Sequence, residues 1–112
     1  MDNTGAIPTR ISQNAAIDIA KQYAWQVRSL LDSEAKIYLF GSAARNEANE
    51  NSDIDIAVIS ELFSDDVTGD STKVNMLAYD VDMRINAQAI SYEDWEHPNP
   101  FTIQIKTSGV AV

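Results

Sequence analysis

Polar and apolar positions along the chain change period several times, and each change marks a predicted element. From Ser12 to about Leu31, Ala16, Ile19, Ala20, Tyr23, Val27, Leu30 and Leu31 recur at three- and four-residue spacing. That is the stripe of an amphipathic helix packed on a core, with Ser12 or Asn14 capping its start and Lys21, Gln22, Arg28 and Asp32 on the other face. The period then shortens. Ile37-Tyr38-Leu39-Phe40 is a β-branched and aromatic run ended by Gly41, which predicts a buried strand. Ser42 to Ala48 contains good helix formers, enough for one or two turns. After the turn signal Asn49-Glu50-Asn51-Ser52, Asp53 to Ile59 predicts a second strand, with Ile54, Ile56 and Val58 on its core face.

The second half is less regular. Ser60 to Thr72 reads as an acidic loop containing Asp65, Asp66 and Asp70, and a short helix follows over 73–78. Alternation from Asp80 to Ile85 predicts a third strand, with Asp80, Asp82 and Arg84 on one face. Ser91, followed by Asp94 three residues later, opens a capped helical turn. Phe101 to Lys106 forms a last helix closed by Gly109, and Val110 to Val112 a terminal strand. Residues 1–8 are a flexible lead-in, and 9–112 a single domain. Trp25 and Trp95 are assigned to packing.

Composition adds limits. The chain has 112 residues, a net charge of −9 and no cysteine. Cysteine-based metal sites, thiolate catalysis and a disulfide framework are excluded. Eight basic residues, scattered along the chain, make no phosphate-neutralising track, so a long nucleic acid is not the expected partner. An anionic membrane surface is disfavoured for the same reason. The absence of an apolar run long enough to span a bilayer, and of a signal-like start, sets a cytoplasmic expectation. His97, the only histidine, cannot build a metal site alone. Ser60, Ser71 and Ser108 have no recognisable base partner, so a serine nucleophile is not expected.

The informative segment is Gly41-Ser42, ten residues, then Asp53-x-Asp55. In a strand, residues i and i+2 project to the same side, about 6.5–7 Å apart. Two carboxylates that close repel unless a cation lies between them, and a hard dication with oxygen ligands, Mg²⁺ or Mn²⁺, answers that need. Gly41-Ser42, at a strand-to-helix junction, brings backbone N–H groups, the helix dipole and a hydroxyl to bear on a phosphate. A phosphate grip beside a carboxylate metal clamp suits phosphoryl or nucleotidyl transfer, in which catalysis is mostly positioning and charge neutralisation. An isolated Asp-x-Asp is usually a solvated turn, but the whole pattern has a chance expectation of roughly 0.003 in this composition.

Leu39-Phe40-Gly41-Ser42-Ala43-Ala44-Arg45, together with Asn51-Ser52-Asp53-Ile54-Asp55-Ile56-Ala57-Val58, resembles the minimal nucleotidyltransferase (MNT) family of the DNA polymerase β-like superfamily. The resemblance extends from about residue 37 to 112. It implies an α+β fold of two layers, a mixed β-sheet with helices packed on one face. It also implies metal-dependent transfer of a nucleoside monophosphate, AMP from ATP, to an acceptor hydroxyl. On this resemblance Gly41 and Ser42 grip the triphosphate, Asp53 and Asp55 hold Mg²⁺ or Mn²⁺, and Asp82 is the third carboxylate. Asp82 is preferred to Asp80 as the better match to the family's Asp before a hydrophobic-Arg-Ile stretch. Arg45 matches a basic position after Gly-Ser; it contacts phosphate, or else forms a surface ion pair with Glu47 or Glu50.

Two positions depart from the family pattern. Ala43 stands where many relatives carry a basic or aromatic residue, and Asn46 where many carry Gly. Asn tolerates left-handed backbone, so the second change need not alter the turn. A chain this short suggests a protein acceptor. In the family such proteins often pair, as antitoxins, with a helical HEPN-type toxin, in homo- or hetero-oligomers. The alternative is a non-catalytic module of the same fold that neutralises its partner by occlusion.

Overall fold

The computed structural model describes residues 11–48, 52–64, 67–97 and 99–112. The lead-in over 1–8, the Asn49–Asn51 part of the predicted turn, and Asp65 and Asp66 fall outside them. The elements are α1 (Gln13–Leu30), β1 (Lys36–Phe40), α2 (Gly41–Ala44), β2 (Ile54–Ser60), α3 (Val67–Tyr79), β3 (Ile85–Ser91), α4 (Tyr92–Glu96), α5 (Pro100–Ser108) and β4 (Val110–Ala111). The four strands form one mixed sheet, ordered β3-β2-β1-β4. β1 runs antiparallel to both β2 and β4, whereas β2 and β3 are parallel and joined through α3.

Alternation along the strands builds two cores. Ile37 and Leu39 of β1, Ile54, Ile56 and Val58 of β2, and Ile85 and Ala87 of β3 pack with Ala16, Ala20, Tyr23 and Val27 of α1 and Val74 and Ala78 of α3. The residues between them, Ala57, Ile59 and Ile90, pack with Trp95 of α4 and Ile105 of α5, beside Tyr38 and Phe40. The expected mixed sheet with helices on one face therefore holds for α1, α2 and α3, while α4 and α5 add a smaller layer on the other.

Ser12 caps α1, its hydroxyl accepting from the Ala15 N–H at 3.1 Å. Arg28, assigned to the outer face, reaches across to donate to the carbonyls of Ala35 and Val112, fastening the chain end to α1. The fully buried Tyr23 hydroxyl donates to the Val74 carbonyl at 2.7 Å and pins α1 to α3. Ser91 caps α4 as expected. Asn99 and Thr102 form a reciprocal capping box on α5, with Pro100 in its first turn and Gly109 at its end.

Three expectations are corrected. α3 starts at Val67 and is thirteen residues long, taking in most of the stretch read as an acidic loop. Within it, Asp70 is buried and accepts from the Ser64 N–H at 3.1 Å, so its carboxylate serves the helix entry. Trp25 is 69% exposed, not a packing residue, and Leu30 is exposed as well. The third strand covers 85–91 instead of 80–85, because Asp80 to Arg84 is spent on turns. The N–H groups of Val81 and Asp82 both donate to the Ala78 carbonyl, and that of Ile85 to Asp82.

Candidate active site

The site forms where β1 ends and β2 begins. Antiparallel pairing sets Phe40 opposite Asp55, and the chain turns at once into α2 through Gly41, whose φ is +73°. An L side chain strains that backbone. Space adds a second demand for glycine: a Cβ at residue 41 would lie 2.5 Å from Asp55 Oδ2. The two halves of the motif thus meet directly. The Asp55 carboxylate occupies the room left by the missing side chain.

Ser42 and Ala43 follow in the single turn of α2, with Ala43 buried. Phe40, the residue before the turn, supplies no side-chain cap, and the Ser42 hydroxyl has no hydrogen-bond partner among the described residues. Arg45, just past α2, pairs with Glu47 at 3.0 Å on the exposed surface and also acts electrostatically on Asp55. Asn46 carries φ +58°, the left-handed conformation that made it an acceptable replacement for Gly. Its side-chain oxygen accepts from the Gln13 N–H, tying this turn to the start of α1.

Asp53 is exposed just before β2, and Asp55 is half-buried within it. Burial, and then the Asp53 charge, push the Asp55 carboxyl above the usual carboxylate range, while the Asn86 amide and Arg45 pull in the other direction. A group held this way gains from a cation, which offsets both the lost hydration and the like charge. Mg²⁺ is commonly bound by one or two carboxylates and keeps waters and substrate phosphates as its other ligands. Asp53 and Asp55 fit that donor set. Among the described residues no cluster of three or more acidic or histidine side chains could hold a metal.

Asp82 stands apart from this pair in its bonding. It sits in the turn before β3, and Arg84 binds both its oxygens, at 3.0 and 2.9 Å. Those bonds hold its carboxyl below the usual range, which makes it a poorer proton acceptor. Asp80 is exposed in the same turn. The side chain beside Asp55 on the neighbouring strand is Asn86. The two are paired in the parallel register, and Asn86 Nδ2 donates to Asp55 Oδ1 at 3.3 Å. Asn86 was not among the expected site residues. Its signal was the Asp82, Arg84, Asn86, Gln88 alternation, which continues past Ile85 and carries the true strand.

Two solved structures of the toxin–antitoxin pair MntA–HpeT, in variant forms, are similar to this chain. Each is 22% identical to it, with TM-scores of 0.53 and 0.54; they cover 92% and 90% of this chain and 72% of their own. A proposed nucleotidyltransferase from Sulfolobus solfataricus has a TM-score of 0.50 at 16% identity, over 86% of this chain and 84% of its own. At these identities the likeness shows the fold. No curated protein matches the chain significantly. The family is shown by sequence: the nucleotidyltransferase domain matches residues 21–103, most of the chain and all of the Gly41-to-Asp55 motif. The chain belongs to the nucleotidyltransferase domain family.

Proposed function

We propose that this protein transfers a nucleoside monophosphate, AMP from ATP, to a hydroxyl group on a partner protein. The observation that carries the reading is the contact of Gly41 with Asp55, which sets a strand-to-helix phosphate turn against a half-buried carboxylate. In this reading Gly41 and Ser42 hold the triphosphate through backbone N–H groups and the Ser42 hydroxyl, and Arg45 leaves Glu47 to meet phosphate. Asp53 and Asp55 hold Mg²⁺ or Mn²⁺, which when bound supplies neutralisation of phosphate charge. The acceptor oxygen attacks the α-phosphorus, forming the new P–O bond. The bond from that phosphorus to the bridging oxygen breaks, and pyrophosphate leaves with the electron pair. The acceptor proton passes to a carboxylate or to water. Asp82 serves as that carboxylate only once released from Arg84.

The likeness to MntA of the MntA–HpeT toxin–antitoxin pair suggests a toxin partner, for which a helical HEPN-type protein in a cytoplasmic setting is the expectation. Among the described residues no helix is long and apolar enough to cross a membrane. The net charge of −9 leaves long nucleic acids disfavoured. The test is transfer of α-labelled AMP from ATP to protein in an extract of the source cells. Wild type should label a discrete acceptor, and Asp53→Ala should not. Equal labelling by both, or none by either, contradicts the reading.

One observation favours a second reading, a non-catalytic module that occludes its partner. The neighbour of Asp55 on β3 is a neutral amide, and Asp82 is already bound by Arg84. Tight partner binding with no affinity for ATP and Mg²⁺ in calorimetry would favour it.

A further inference from the structure

The Asp55 side of the sheet carries more than carboxylates. Residues directly opposite in an antiparallel pair share a face, so Phe40, paired with Asp55, projects to the same side. Its ring meets that of Phe101, in the first turn of α5, with centroids 5.6 Å apart and planes at 83°. Phe40 is half-buried beside the second core. Phe101 packs on Phe40 and yet remains 43% exposed. The helix that presents it is fixed by the capping box at Asn99 and by the fully buried Ile105.

A nucleotide held at Gly41 and Asp55 has one apolar, flat part to place, its base. Phe40 immediately precedes the phosphate turn, and Phe101 is one ring further out on the same face. We propose that Phe101, backed edge-on by Phe40, is the stacking platform for the nucleobase. This inference rests on the nucleotidyltransferase reading and adds the site of the base. Stacking uses the π-face that every base has, so the platform is tolerant of base identity. It also supplies affinity without cations, which suits a chain of net charge −9.

The test compares two ligands that differ in the base and sugar: ATP and inorganic tripolyphosphate, each with Mg²⁺, titrated calorimetrically into the full chain and into Phe101→Ala and Phe101→Trp. Base stacking on an aromatic side chain corresponds to roughly a 5- to 150-fold change in affinity on alanine substitution. Phe101→Ala should weaken ATP within that range and leave tripolyphosphate unchanged, while Phe101→Trp should keep ATP binding at or above wild type. Thermal melts check that each variant is folded. If ATP binding is unchanged in Phe101→Ala, or if both ligands weaken equally, the platform is wrong and the exposed ring belongs to another contact. If wild type binds neither ligand, the nucleotidyltransferase reading fails first and the platform with it.

Discussion

A Cβ at Gly41 would lie 2.5 Å from Asp55 Oδ2, so the residue that opens α2 and the carboxylate of β2 occupy one space. Their separation in sequence is bridged by Phe40 opposite Asp55 in the antiparallel register. Backbone conformation and close approach both require glycine, which makes this position the most constrained of the site.

Gly41→Ala should therefore act on stability and on binding together. The left-handed φ alone costs about 1–2 kcal/mol for an L residue, and relief of the clash must move Asp55. Chemical denaturation should show at least that loss, and calorimetry should show Mg²⁺–ATP binding lost more completely than the stability change explains. Binding retained in a folded Gly41→Ala variant would show that the contact does not shape the site.

Asp55 and Asp82 should respond to pH with opposite sign. Asp55 is raised in the fold by burial, so its contribution to stability is fully present below the unfolded carboxylate value and is lost as pH rises through the raised one. Metal-free Asp55→Asn should accordingly be at least as stable as wild type at neutral pH, with the difference closing in acid. Asp82 is lowered by Arg84, so its contribution is present above the unfolded value and is lost as pH falls through the lowered one. Asp82→Asn should cost about 0.2–1 kcal/mol at neutral pH, as for a solvent-accessible ion pair. Metal binding requires the ionised carboxylate. Mn²⁺ affinity should fall as pH drops through the raised Asp55 value, above the usual range for Asp.

Asn86 should matter for the metal more than for the fold. Its amide orients Asp55 through a 3.3 Å bond. Asn86→Ala should weaken Mn²⁺ binding several-fold, about 1 kcal/mol for the loss of one long hydrogen bond, with little change in melting temperature. Asn86→Asp sets a third carboxylate beside Asp55. It should destabilise the metal-free protein through like-charge repulsion and strengthen Mn²⁺ binding, which electron paramagnetic resonance titration can read.

Much of the sheet that frames the candidate site is legible in the chain because its elements have strong periods. β1 and β2 are dense in β-branched and aromatic residues, and the glycine between them marks where the strand stops. The first half of α3 gives no helical signal because Thr68 to Lys73 carries no apolar stripe; the helix's burial comes from Val74 and Ala78. Asp80 to Arg84 alternates like a strand five residues before the true one begins, while its backbone bonds close turns on Ala78 and Asp82. That shift is what hid Asn86. Trp25 lies off the Ala16, Ala20, Tyr23, Val27 stripe, in keeping with its exposure.

Tyr23 separates fold from function. Its buried hydroxyl donates to the Val74 carbonyl, and burial pushes its ionisation well above the ordinary tyrosine value. Tyr23→Phe should cost about 1 kcal/mol in denaturant unfolding and leave Mg²⁺–ATP affinity unchanged. An equal loss of affinity would tie the α1–α3 clamp to the site.

The central claim is that Asp53 and Asp55, set against Gly41, form a metal-dependent nucleotide site. Calorimetry of ATP against wild type and the Asp53→Ala/Asp55→Ala double variant, with and without Mg²⁺, tests it most directly. The account predicts binding to wild type that requires Mg²⁺ and is abolished in the folded double variant. Metal-independent binding, or binding that survives loss of both carboxylates, would contradict it.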